Sequence, residues 1–368
     1  MSDVNFQQFR NRPIPKEILE KIREFERSQK EWKDKYGEIR PPISLDFHGY
    51  KMVVSGSRIN YSTKWKFFMD FLLDYVPSIF GKEWGEAELS KPAEERHQVV
   101  QWRVKALEFM RQEQKRGPNE AGFYETIPNG YLAAYLAFAY DLYIVYDNGR
   151  LDDELLRRLK LIDQFQGARH ELFVEATCLR ADFTIEHEDE RNRKMRHAEF
   201  TATHKETGQK VSVEAKSKHR SGVLGRPGNP EPENEVNLRF GALLNDAIKK
   251  NPPYPLVIFL DTNLPPLVAE IVFKPESINP PTPPILMQKL LDRIRKEHNG
   301  TDPFNLVVFT NHPHHYGKED EADPGKHITS FLSQIPKKPV SHHNAILGIH
   351  VGASKYGNIP NEFPKKDD

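Results

Sequence analysis

The sequence predicts an α/β fold. A mixed β-sheet flanked by helices occupies residues 151–351, a mostly helical domain precedes it over 1–150, and a loose tail follows over 352–368. Three observations carry that prediction. Short β-prone runs at 183–186, 198–204, 211–216, 256–261 and 305–311 are interleaved with helical segments at 234–250 and 285–298; such interleaving places helices on the faces of a sheet. Before residue 150 the apolar residues recur mainly at helical spacing. Asp152 and Asp153 then offer a cap for a helix beginning near Leu155, and the pattern changes there.

Taken in order, Ile18, Leu19, Ile22 and Phe25 follow Pro15 at helical spacing and predict a helix to Tyr36. Residues 43–59 alternate weakly and suggest a small hairpin. A second helix spans 64–76, with Pro77 marking its end. A third spans 94–115, where Val100, Val104, Leu107 and Met110 form a stripe. The fourth, 129–146, is apolar, interrupted by Asp141 and too short to cross a bilayer, so it reads as a buried helix. A helix over about 168–180 opens the α/β part. The prolines of 252–284, Pro280-Pro281-Thr282-Pro283-Pro284 among them, mark connections.

Composition removes several function classes. Lys+Arg and Asp+Glu are both 53, so a nucleic-acid surface must gather its basic groups on one face. Cys178 is the single cysteine, expected as a small buried residue, and no intrachain disulfide can form. The N-terminal stretch has no apolar segment of the secretory kind, and a cytoplasmic protein without membrane association is expected. No Gly-rich phosphate loop of the Walker or dinucleotide type occurs. His312, His314, His315, His342 and His343 have no cysteine beside them and no familiar zinc spacing. Asp261 and Asn311 end strands and are read as cap or turn residues.

The chemistry concentrates on residues 197–216. A tight turn at Thr207-Gly208 sets Glu199 opposite Lys216 and Thr201 opposite Glu214, so all four share one face. Diagonal neighbours on such a face lie about 7–8 Å apart, within reach of long side chains converging on one ion. Two interpretations of this face stand. One is a surface hairpin with a Glu199–Lys216 salt bridge. The other is a site for a hard cation, since buried carboxylates need a counter-charge and oxygen donors suit magnesium. Glu-x-Lys occurs three times, at 31–33, 113–115 and 214–216, and only the last falls in a strand. On the preceding helix, Glu171 and Glu175 are four apart and share a side.

Helix, strand, acidic hairpin, Glu214-Ala215-Lys216 strand, helix, strand: this order resembles the PD-(D/E)XK nuclease superfamily, with its restriction-endonuclease-like fold, over about 100 of the 368 residues. Glu199 stands at the usual Asp position, and His197-Ala198-Glu199 departs from the typical Pro-Asp with a longer ligand. The resemblance implies a metal-dependent endonuclease. Glu199, Glu214 and the Ala215 carbonyl would hold Mg2+, with Mn2+ able to substitute, and Lys216 would act on the attacking water or the developing charge. Glu171 would bind metal through water or hold a second ion; otherwise it is an ordinary helix-face carboxylate. Lys218, Arg220 and Arg226 follow on a Gly-containing loop, suited either to a phosphate backbone or to a solvated connection. DNA is the expected partner ahead of RNA, and the N-terminal domain is expected to select substrate, a protein partner or a second copy. The alternative is an inactive nuclease-fold scaffold.

Overall fold

The computed structural model describes residues 15–118, 120, 122, 124, 126–187, 198–275, 284–312 and 327–364. The charged connection 188–197, prolines 280, 281 and 283, His314 and His315 lie outside them.

The N-terminal half begins with helix α1 (Lys16–Tyr36). Where a small hairpin was expected, three strands form an antiparallel sheet: β1 (Ile43–Phe47), β2 (Tyr50–Ser55) and β3 (Arg58–Ser62). Helices α2 (Phe68–Phe80), α3 (Lys82–Leu89), α4 (Gln98–Gln114) and α5 (Gly130–Asp147) follow. Pro77 does not end α2 as the sequence suggested; it lies inside it. Proline has no N–H for the carbonyl four residues earlier. That carbonyl, on Leu73, accepts instead from the Tyr135 hydroxyl (2.9 Å) and Arg103 Nε (3.1 Å). Helix α5 is the buried helix the sequence predicts, and the Asp141 that interrupts it is paired with buried Arg180 at 2.5 Å. No helix among the described residues is long and apolar enough to cross a membrane.

Asp152 caps α6 (Asp153–Leu159) by accepting from the Leu155 N–H at 2.6 Å. Next come α7 (Phe165–Arg180), β4 (Phe183–His187), β5 (Phe200–His204), β6 (Lys210–Ser217), α8 (Gly241–Lys249), β7 (Leu256–Asp261), α9 (Pro266–Val272), α10 (Ile285–Glu297), β8 (Leu306–Asn311), β9 (His327–Leu332) and α11 (His343–Ser354). The six strands β4 to β9 form one mixed sheet in sequence order. β4, β5 and β6 are antiparallel, β6, β7 and β8 parallel, and β9 antiparallel to β8.

The sheet is covered on both sides, which is why β7 and β8 are apolar at every position but their last one or two. Val257 and Phe259 join the core that contains α7, whereas Ile258 and Leu260 join the one built with α8 to α10. The first of these cores also contains α2 and α5, so it does not divide near residue 150 where a separate unit was expected. Nor is the chain after 352 loose as far as it is described. Gly352 lets α11 approach α7, since a Cβ there would lie 2.7 Å from the Thr177 carbonyl oxygen. Tyr356 meets Phe173 edge to face and His312 at a tilt, and the Phe68 N–H donates to the Asn361 carbonyl at 3.0 Å.

Candidate functional site

β5 and β6 pair with Phe200 opposite Val213 and Thr203 opposite Lys210. This register is two residues away from the one a tight Thr207-Gly208 turn would set. His204 N–H donates to the Gln209 carbonyl (2.9 Å) and Gly208, at φ 69°, donates to His204 (2.9 Å), so four residues close the hairpin instead of two. A one-residue slip would turn every side chain to the other face; a two-residue shift keeps the face and changes only the partners.

Glu199 precedes β5, and its backbone N–H donates to the Val213 carbonyl at 3.1 Å, which sets it beside Glu214. Glu214 is opposite Ile258 in the parallel β6–β7 ladder and has no exposed side-chain surface. Lys216 Nζ reaches Glu214 Oε2 at 3.0 Å and Glu199 Oε1 at 3.4 Å. The structure adds a fourth member. Lys250, the C-cap residue just after α8, places Nζ 2.8 Å from Glu214 Oε1 and 3.5 Å from Glu199 Oε1. Two carboxylates and two ammonium groups thus converge, with Glu214 closed off and the other three between 18% and 26% exposed. Burial raises the Glu214 pKa, with Glu199 adding to it and the two lysines opposing it. Desolvation acts to lower Lys216, but the two carboxylates outweigh it and its pKa is raised.

Glu171 reaches this centre only at a distance. Its carboxylate is forked with the Arg158 guanidinium, 2.7 Å on one side. Burial raises its pKa, and both Glu199 and Lys216 act on it electrostatically. One turn on, Glu175 is buried and bonded to His187 Nε2 at 2.9 Å; burial pushes its pKa up to about 7.

Comparison with protein-family models, curated proteins and solved structures finds no match to this chain.

The loop after β6 separates its basic groups. Lys218 is half-buried, its backbone N–H donating to Asp261 (2.8 Å), and its ammonium makes no ion pair among the described residues. Arg226 is half-buried beside His219 Nδ1 at 3.3 Å. Arg220, expected at a phosphate backbone, points inward. Its guanidinium donates to the Thr262 carbonyl (3.2 Å), Glu231 (2.9 Å) and the Asn237 carbonyl (2.9 Å). Gln166 clasps the same residue's backbone, accepting from its N–H at 3.1 Å and donating to its carbonyl at 2.8 Å. Arg220 therefore anchors the loop rather than presenting charge to a ligand.

The oxygen donors that converge here are two carboxylates, each already paired with lysine. Among the described residues no group of three or more His, Cys, Asp or Glu side chains is placed to hold a metal ion. Magnesium, however, commonly uses one or two carboxylates and keeps several waters. Lys250 Nζ already sits as a cation between Glu199 Oε1 and Glu214 Oε1, so that position accepts positive charge. A divalent ion there would have to displace an ammonium group. Ala215 lies between the two key residues, paired with Phe259 in the ladder.

Lys250 was hidden in the sequence because a lysine in the last turn of a helix complements the helix dipole and needs no other explanation. Only the return of α8 across the sheet to β7 shows that it faces the acidic pair.

Proposed function

We propose that the chain is a magnesium-dependent nuclease that hydrolyses phosphodiester bonds, with DNA as its expected substrate. The observation that carries this reading is the convergence of Glu199, Glu214, Lys216 and Lys250 at a partly open point of the sheet. It is supported by the element order α7-β4-β5-β6-α8-β7, which follows the order on which the nuclease resemblance rests.

Glu199 and Glu214 would hold the metal, with the Ala215 carbonyl as a further donor. A bound divalent ion lowers the pKa of water and screens phosphate charge. Lys216, kept protonated by its acidic neighbours, orients the attacking water and stabilises charge developing on the phosphoryl oxygens. Lys250, released from the carboxylates, is a second cation for the same oxygens. Glu171, locked to Arg158, sets the local field rather than ligating directly.

A second reading has its own observation: the two lysines already neutralise the two carboxylates, which suits a scaffold that binds without cutting. Incubation with plasmid, single-stranded DNA and RNA, with Mg2+, Mn2+ or EDTA, separates the two. The nuclease reading expects cutting that needs metal and is lost in Glu214→Ala together with the calorimetric metal signal. Binding without cutting in every condition overturns it.

A further inference from the structure

The described part of the chain leaves two apolar surfaces open, and they lie on neighbouring elements. Ten of its nineteen exposed large hydrophobic residues are on α1 and the β1–β3 sheet. On α1, Ile18, Ile22 and Phe25 continue the side of the helix that farther on carries half-buried Trp32 and buried Tyr36. The stripe that docks the end of α1 on the body therefore runs on past the edge of the body. Residues 16–28 are all exposed. A helix of that length is marginal in water without packing.

The sheet is equally one-sided. Register puts Ile43, Leu45, Phe47, Tyr50, Ile59 and Tyr61 on one face, at 43–65% exposure. The opposite face is packed inward, with Val53 and Ser55 fully buried. No lysine or arginine lies on the open face, which disfavours nucleic acid, whose phosphates need cations.

We propose that the chain forms a two-fold dimer in which the α1 stripe of each copy covers the open β1–β3 face of the other. An apolar helix stripe and an apolar sheet face can cover one another, and one chain carries both, as an isologous interface requires. Within one chain, among the described residues, they do not meet. α1 is fixed at its base by Tyr36, by Trp32 Nε1 donating to the Ile39 carbonyl (2.8 Å) and by Glu38 N–H donating to the Arg180 carbonyl (2.8 Å), while both surfaces remain exposed. The nine side chains of stripe and sheet face, each about half exposed, amount to on the order of 800 Å² per copy, the area a stable interface commonly needs. The assignment is independent of the nuclease reading.

Sedimentation velocity of the full chain tests it: a dimer at micromolar concentration is expected. Ile22→Lys with Phe25→Lys, and separately Ile59→Lys with Tyr61→Lys, should each give folded monomers by circular dichroism. Cysteine pairing fixes the geometry, since Cys178 is buried. A Phe25→Cys chain mixed with a Tyr61→Cys chain should form a mixed disulfide dimer in preference to either self-linked product. A monomer at all concentrations overturns the proposal, as does a dimer indifferent to both double variants, or linkage of Phe25→Cys chains chiefly to each other. A monomer whose sheet face instead binds an oligonucleotide, with binding lost in the Ile59→Lys, Tyr61→Lys variant, also overturns it.

Discussion

Glu214 and Asp261 are carboxylates on adjacent parallel strands, both with no exposed side-chain surface and both raised in pKa by burial. Their surroundings differ in kind. Asp261 is held by the Arg169 guanidinium, itself buried, by the Thr310 hydroxyl (3.3 Å) and by the Asn263 backbone. Glu214 faces two ammonium groups on flexible stems, each partly in water, with a second carboxylate beside them. A rigid, closed pair stabilises one arrangement. An open cluster of mobile charges can exchange a partner for water, metal or phosphate. Burial alone does not mark a functional acid; what its partners can do does.

The largest expected effect tests the closed member. Asp261→Ala leaves Arg169 buried without its counter-charge and should cost about 3–5 kcal/mol of stability. Glu214→Gln should cost about 1 kcal/mol or less, because Lys216 and Lys250 can turn to solvent. Urea unfolding measures both, and equal losses would remove the distinction.

The open member is tested by chemistry. On the nuclease reading, Lys216→Met should lower cleavage by about 10²- to 10⁴-fold while metal is still bound. Lys250→Met should slow cleavage less and tighten metal binding, since one competitor for the carboxylates is gone. Calorimetry of metal binding checks this without reference to turnover; weaker binding in Lys250→Met would show that the ammonium supports the site rather than competing for it.

How far this contrast was legible in the sequence depends on the residue. The runs at β7 and β8 and the helix α7 showed themselves through period and composition. The shared face of Glu199, Glu214 and Lys216 survived a wrong turn because the register moved by two. Arg220 and Lys250 were misjudged or missed for one reason. A basic residue looks the same in sequence whether it faces solvent, a ligand or its own chain, and the packing of distant elements decides which. Strand β9, His327–Leu332, mixes polar and apolar residues and is intermediate in exposure throughout, so its pattern was faint.

Between the two extremes lies Glu175, buried like Asp261 but paired with partly exposed His187. Its folded pKa is near 7, above its unfolded value, and that of His187 is also raised. Groups raised on folding contribute stability at low pH and lose it as pH rises through the folded value. This pair should therefore account for a loss of about 2 kcal/mol between about pH 5 and pH 8. Glu175→Gln should flatten that dependence, as read from urea unfolding at both pH values. An equal slope in the variant would place the titrating group elsewhere.

The smallest effect repeats the contrast within one loop. Lys218 and Arg220 are two residues apart and both basic, yet one ammonium has no ion pair among the described residues and the other cation makes three bonds. If the loop meets a phosphate backbone, Lys218 supplies an exchangeable contact. Lys218→Ala should then lower the slope of log affinity against log salt by about 1 and leave thermal stability unchanged. Arg220→Ala removes donors from two carbonyls and a carboxylate, and a buried acceptor left unsatisfied costs about 1–3 kcal/mol. It should lower stability and loosen the loop, weakening nucleic-acid affinity at all salt concentrations without altering the slope. Salt titrations of oligonucleotide binding, paired with melting curves, separate the two variants. A lower slope in Arg220→Ala than in Lys218→Ala would mean that the guanidinium leaves its internal partners on binding, and that the closed arrangement belongs to the free protein alone.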